Sequence, residues 1–212
     1  MTRLDIISDP ICHWCYIGKA RLEKALAKNP DHPFDIHWQP FQLNPDMPPE
    51  GMDRRSYLEM KFGGRAGAIE VYAEISKAAE AEGLEIAFEK IKRTPNTIDA
   101  HRLIHWAGLE GVQTPVVTRL FDGFFREGLD ISDHKVLVDI ARDTGMDADA
   151  IARLLETDAD LMEVRAQDAK AREMGVKAVP TFIIANEAVV TGAQPTQLWD
   201  DIIRDILAQT AG

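Results

Sequence analysis

Cysteine is scarce in this chain: two of 212 residues, too few for a disulfide scaffold, so the fold must rest on its apolar core. Basic charge is short as well. Lys and Arg number 24 against 35 Asp and Glu, a net charge of −11. That balance excludes the clustered cations of a nucleic-acid surface or a polybasic membrane contact. No apolar run reaches the length of a membrane-spanning helix. The opening MTRLDIISDP breaks its short apolar stretch at Asp5 and Asp9 and lacks the core of a secretion signal, so a cytoplasmic protein is expected. There is no G-x-G-x-x-G and no P-loop, hence no call for a flavin or nucleotide. What remains is ordinary: 45% hydrophobic residues, enough for a core in one large domain or in a smaller fold carrying an insertion.

The segment RLDIISD (3–9) is β-branched and apolar and ends at Asp9-Pro10, which predicts a buried strand. WCYIGKARLEKALAKN spaces Ile17, Leu22, Ala25 and Leu26 as a helix does and stops at Asn29-Pro30. FDIHWQPF (34–41) alternates Phe34, Ile36 and Trp38, a second strand, parallel to the first after a right-handed crossover. Beyond the proline-rich connector 43–53, helices are expected near 53–62, 65–82, 97–110, 114–127, 133–144, 147–156 and 160–174, with Asp133 and Asp147 as caps. TFIIA (181–185) and AVVTG (188–192), either side of Asn186-Glu187, predict an antiparallel hairpin. PTQLWDDIIRDILAQ (195–209) predicts a last helix with Leu198, Ile202, Ile203 and Ile206 inward. The fold class is α/β. Residues 1–45 and 175–212 form one discontinuous layer, and 46–174 form a helical subdomain inserted into it.

Both cysteines lie in one tetrapeptide, Cys12-His13-Trp14-Cys15, and three chemistries compete for it. Zinc takes about four ligands, usually as two pairs. Here there is one pair; His101 and His105 stand i, i+4, but HRLIH lacks the Glu of the H-E-x-x-H type, so no metal is expected. A structural disulfide would close a very short loop and gain little chain entropy. The redox reading explains most. Cys12 follows a strand and opens a helix, where free N–H groups and the helix dipole favour a thiolate. Cys15 lies one turn deeper on the same face, placed to attack a mixed disulfide at Cys12. A C-x-x-C beside a β-α-β pattern is the thioredoxin-type signal. In such folds a cis-proline stands at the entrance of a later strand, the place of Pro180 in VKAVPTF, so a cis Val179–Pro180 bond is expected, leaving the Val179 backbone for an extended substrate. The alternative is an ordinary trans proline at a strand start. A cationic His13 would stabilise the Cys12 anion and a neutral one could donate a hydrogen bond to it; alternatively His13 points to solvent. Trp14 would form an apolar lip.

Taken together, SDPICHWCYIGKARLEKAL, WQPFQLNPDMPPEG, NTIDAHRLIHWA, LFDGFFREGLDISDHKVLVDIA and GVKAVPTFIIANEAVVTGAQP resemble the FrnE-like branch of the DsbA thiol–disulfide oxidoreductases along nearly the whole chain. The resemblance implies a thioredoxin-like fold with a large inserted α-helical subdomain. It implies Cys12 as nucleophile, Cys15 as resolving cysteine and Pro180 as cis-proline. It also implies that Asn96, Thr97 and His101 face the cleft; helix capping by Asn96 or Thr97 and a packed His101 are the alternative. His13 stands where the branch usually has proline, which makes the reduction potential the open quantity. The related 2-hydroxychromene-2-carboxylate isomerases share the fold and use glutathione, with serine usual at the position of Cys12. The expected activity is disulfide exchange with a protein or small-thiol substrate, with no cofactor required and glutathione as a candidate co-substrate. A glutathione-dependent isomerase and a chaperone-like binding module are the alternatives.

Overall fold

The computed structural model describes residues 1–210; the last two residues of the expected 175–212 segment lie outside the described residues. Strand β1 (Thr2–Ser8) is buried from Leu4 to Ser8, the pattern of a central strand covered on both faces. Helix α1 (His13–Lys28) carries the chain across to β2 (Phe34–Pro40), which pairs with β1 in parallel, Ile6 opposite Trp38. After a long helical excursion the chain returns as β5 (Thr181–Ile184) and β6 (Ala188–Thr191). β5 lies antiparallel on the other edge of β1, Ile6 opposite Phe182, and the sheet order is β2-β1-β5-β6. The β5–β6 turn has Ala185 and Asn186 in the left-handed region, one residue earlier than the Asn186-Glu187 pair expected to form it. Helix α9 (Thr196–Thr210) packs on α1 and sets the fully buried Trp199 edge-on against Phe182, 4.7 Å between ring centroids. Trp199 therefore takes the inward place expected of Leu198, which is 37% exposed.

The excursion holds α2 (Arg54–Phe62), α3 (Arg65–Glu82), α4 (Ile98–Leu109), α5 (Gln113–Asp122), α6 (His134–Asp143), α7 (Ala148–Leu155) and α8 (Leu161–Glu173). Side chains of Asp53, Asp133 and Asp147 accept the backbone N–H groups of Ser56, Lys135 and Ala150 and start α2, α6 and α7. Two features escape the periodicity. A two-residue ladder, β3 (Met52–Asp53) with β4 (Arg93–Thr94), ties the start of α2 to the segment before α4. The helix expected over 114–127 is instead α5 followed by a π-helical turn, Gly123–Glu127, which holds the buried Phe124 and Phe125. Helices α4, α5 and α8 pack against β2, α3 packs against α1, and the main apolar core runs without a break from Leu4, Ile6 and Phe182 into Leu103, Phe121 and Phe125. The helical block thereby closes over the C-terminal end of β1 and the start of α1.

Candidate active site

Ser8 ends β1 and the chain turns at once: Cys12 N–H donates to Asp9 O at 2.9 Å across Asp9-Pro10-Ile11. Helix α1 then begins with Cys12 as its N-cap residue. Sulfur stands where a Ser or Asp oxygen usually caps a helix, and Cys15 N–H donates to Cys12 Sγ at 3.3 Å. From the far end of the chain, Val179 O accepts the Cys12 thiol at 3.5 Å. The Val179–Pro180 bond is cis, and the loop is held by Thr181 Oγ1 donating to Ala178 O and Gly192 N–H to Pro180 O, at 2.7 and 2.8 Å. Gly18 makes this contact with α1 sterically open: a Cβ there would stand 3.0 Å from Pro180 Cγ and 3.4 Å from Ala193 Cα. The two cysteines differ in exposure, 6% for Cys12 and 1% for Cys15. Burial pushes the Cys15 thiol well above its ordinary pKa, and the neighbouring Cys12 acts in the same sense.

His13 packs its ring among aromatic side chains. Its ring lies 4.8 Å from Phe125 and 5.7 Å from both Tyr72 and Phe88, centroid to centroid. The residue is half-buried, but Nε2 is sealed from solvent and has no hydrogen-bond partner. Burial, then the positive charges of Arg54 and Lys61, lower its pKa from 6.5 to about 3. Of the roles open to His13, the aromatic packing favours the neutral imidazole. Trp14 is half-buried too, lodged between the main core and a smaller cluster of Ile17, Ile75 and Ala79.

Asn96, Thr97 and His101 stand behind the cysteines. Thr97 and His101 are each 2% exposed, too deep to line an open cleft, which corrects the placement implied by the resemblance. Asn96 Oδ1 accepts Ile98 N–H at 2.9 Å, a tie at the start of α4, and its Nδ2 donates to Met47 O at 2.6 Å. Gln42 Nε2 reaches Asn96 Oδ1 at 3.2 Å and Thr97 Oγ1 at 3.5 Å. The group they surround is Asp9, whose side chain has no exposed surface. Its carboxyl accepts Leu43 N–H at 2.6 Å and Ile11 N–H at 3.3 Å, is hydrogen-bonded by Thr97, and lies 3.9 Å from the unpartnered Nε2 of His101. Burial raises its pKa from 3.8 to about 7 against the pull of those bonds, and burial lowers His101 from 6.5 to about 4. Sequence reasoning reads Asp9 only as the end of a strand. The available signal was an acid before proline, three residues ahead of Cys12, at the close of an otherwise apolar run.

Residues 3–204 match the family described as DSBA-like thioredoxin domain. YwbO, an uncharacterized protein of Bacillus subtilis, is 30% identical over 204 residues, 95% of this chain and 96% of its own. The crystal structure of a probable DsbA oxidoreductase from Streptomyces coelicolor aligns at a TM-score of 0.86 and 29% identity, covering 98% of this chain and 91% of that one. The cytosolic disulfide reductase DsbM of Pseudomonas aeruginosa, solved with GSH, shares the fold at a TM-score of 0.68 and 18% identity, covering 97% of this chain and 99% of its own. These matches run through both parts of the α/β layer and the helices between them, so the chain belongs to the family of the DSBA-like thioredoxin domain.

Proposed function

We propose that this protein is a thiol–disulfide oxidoreductase of the FrnE-like kind, working through Cys12 and Cys15 without metal, flavin or nucleotide. The observation that carries the reading is the seat of Cys12: a thiol at the N-cap of α1, taking Cys15 N–H and facing Val179 O across a cis Val179–Pro180 bond. An anionic sulfur there receives the N–H groups at the start of a helix. The Cys12 thiolate attacks one sulfur of a substrate disulfide; that bond breaks, and one substrate thiolate leaves. Cys15 then gives up its proton and attacks Cys12 Sγ, which expels the second substrate thiolate and leaves an enzyme disulfide. The substrate is reduced by two electrons and the enzyme oxidised by two; the reverse direction oxidises a substrate dithiol.

The loss of the buried Cys15 proton only at the second step fits its raised pKa, because a resolving cysteine need not be ionised at rest. In this reading Val179, Pro180 and Trp14 line the substrate path, while Asn96, Thr97 and His101 position the loop carrying Cys12. The substrate is a protein or small-thiol disulfide, with glutathione as co-substrate. A cytoplasmic setting, where thiols are kept reduced, directs the flow toward reduction. The test is reduction of insulin disulfides by dithiothreitol. Cys12→Ser should abolish catalysis, and Cys15→Ser should accumulate the mixed disulfide. Full activity of Cys12→Ser overturns the reading.

A further inference from the structure

Helix α2 carries two cations that the fold leaves without counter-ions. Arg54 is 8% exposed, yet its guanidinium donates only to neutral oxygens, Thr94 Oγ1 at 3.1 Å and Tyr72 OH at 2.7 Å. No carboxylate among the described residues pairs with it, although the chain has 35 acidic residues. Lys61, two turns on and exposed, is likewise without a carboxylate and donates to Tyr57 OH at 2.6 Å. Tyr57 lies between them, with Arg54 Cζ 5.7 Å and Lys61 Nζ 5.1 Å from its ring centroid. Its hydroxyl donates to Asn44 Oδ1 at 2.9 Å, and Asn44 Nδ2 is a buried donor with no partner. A buried cation costs free energy unless an anion or several hydrogen bonds offset it, and an orphan amide donor adds to that cost. Both costs would be met by an anion that the protein does not itself supply.

The position ties this cluster to the dithiol. Tyr72, the partner of Arg54, is one of the three rings around His13, the residue next to Cys12. The charges of Arg54 and Lys61 are both felt at the His13 ring, and that of Lys61 also at the Asp9 carboxyl. A surface of net charge −11 repels acidic substrates in general, so a local cationic site would decide which of them reach Cys12. We infer that Arg54 and Lys61, with Asn44, form a specificity subsite one layer out from Cys12, beyond Tyr72 and His13, that takes the carboxylate of a disulfide or thiol substrate. This rests on the disulfide-exchange reading and names the chemistry of the substrate it prefers.

Two small disulfides of opposite charge test it: oxidised glutathione, which carries carboxylates at both ends, and cystamine, which carries ammonium groups. The ratio of kcat/KM for the first over the second should fall about tenfold in Lys61→Gln, the size of one lost charge-assisted hydrogen bond. Arg54→Lys, which keeps the charge, should lower the ratio less than Arg54→Gln. In the unaltered protein the ratio should fall as salt is raised to about 0.5 M, where screening shortens the reach of charge. S-methylglutathione, which has carboxylates but cannot exchange, supplies a readout without turnover: calorimetric binding that weakens in Lys61→Gln. Peptide disulfides differing only in Glu or Gln beside the cysteine separate the sources of the carboxylate. Discrimination between the peptides alone assigns the subsite to protein substrates, and discrimination by the small disulfides alone assigns it to small thiols. Ratios and binding unchanged in Lys61→Gln and Arg54→Gln overturn the inference. If neither disulfide is reduced while S-methylglutathione still binds through Lys61, the redox reading fails and the subsite stands.

Discussion

The start of α1 lies between two unlike walls. Toward α3 and the π-helical turn, Tyr72, Phe88 and Phe125 enclose the His13 ring. Toward α4, Asp9, Thr97 and Gln42 form a buried polar knot joined by hydrogen bonds, with His101 Nε2 3.9 Å from the Asp9 carboxyl. Each wall resists ionisation of the titratable group it holds, by a different route. His13 loses its charge because nothing solvates the cation and two other cations stand near. Asp9 approaches neutrality despite the hydrogen bonds that favour its anion, because burial outweighs them. The lesson is that burial is the largest influence on both sides, so His13 is neutral and Asp9 gains charge only near pH 7, and the cations without a paired carboxylate sit one layer out, on α2.

Removing the aromatic wall should have the largest effect. Phe125 is fully buried and also stacks on Tyr16 at 5.2 Å, so Phe125→Ala should cost about 3–5 kcal/mol in denaturant unfolding. A loss under about 1 kcal/mol would mean that this ring is not what seats His13.

The polar wall should respond to pH. Asp9 keeps its proton in the folded state between its unfolded pKa of 3.8 and its folded value of about 7, so its contribution falls as pH rises through that window. His13 and His101, lowered from 6.5 to about 3 and about 4, do the reverse: the unfolded chain takes up their protons first, and stability falls as pH falls below 6.5. Between about pH 4 and 6.5 these three groups therefore release a net one proton on folding, a loss of about 1.4 kcal/mol per unit of acidification. Asp9→Asn, which keeps an oxygen acceptor for Leu43 N–H, should stabilise the protein at pH 8 by on the order of 2–4 kcal/mol and steepen the acid limb to about two protons. Denaturant unfolding at several pH values measures both; an unchanged slope would show that Asp9 ionises normally in the fold.

Smaller effects separate shape from charge. Gly18→Val should push on Pro180 and cost about 1–3 kcal/mol, with a matching drop in disulfide reduction as the Val179 loop moves from Cys12. His13→Phe should cost less than about 1.5 kcal/mol, since an aromatic ring replaces one that is already uncharged. The His13 ring resonances should stay flat between pH 8 and 5, and titration near 6.5 would place the imidazole in water.

Most of the frame was readable along the chain. β1, α1 and β2 follow from local periodicity and proline stops, and the hairpin β5–β6 from its turn, because each is decided by residues within a few positions of one another. The C-x-x-C motif was readable for the same reason. The partners of those residues were not. His13 reads as an exposed helix start until Phe125 arrives from 112 positions away, and the π-helical turn that presents Phe125 has no signature distinct from an α-helix. Thr97 and His101 were expected to face the cleft, and their burial around Asp9 depends on how α4 packs against β2, which no local pattern shows.

By itself the sequence determined that a dithiol opens a helix after a buried strand, and that Pro180 heads a strand in the same layer. Only the tertiary structure decided the electrical state of its surroundings. The charge of Asp9, His13 or His101 depends on how much water reaches it, and water is excluded by side chains from distant helices. Whether Arg54 is paired depends likewise on where the fold sets carboxylates, and among the described residues none stands within 4.0 Å of its guanidinium. Propensity acts between neighbours in sequence, whereas solvation and Coulomb energy act between neighbours in space.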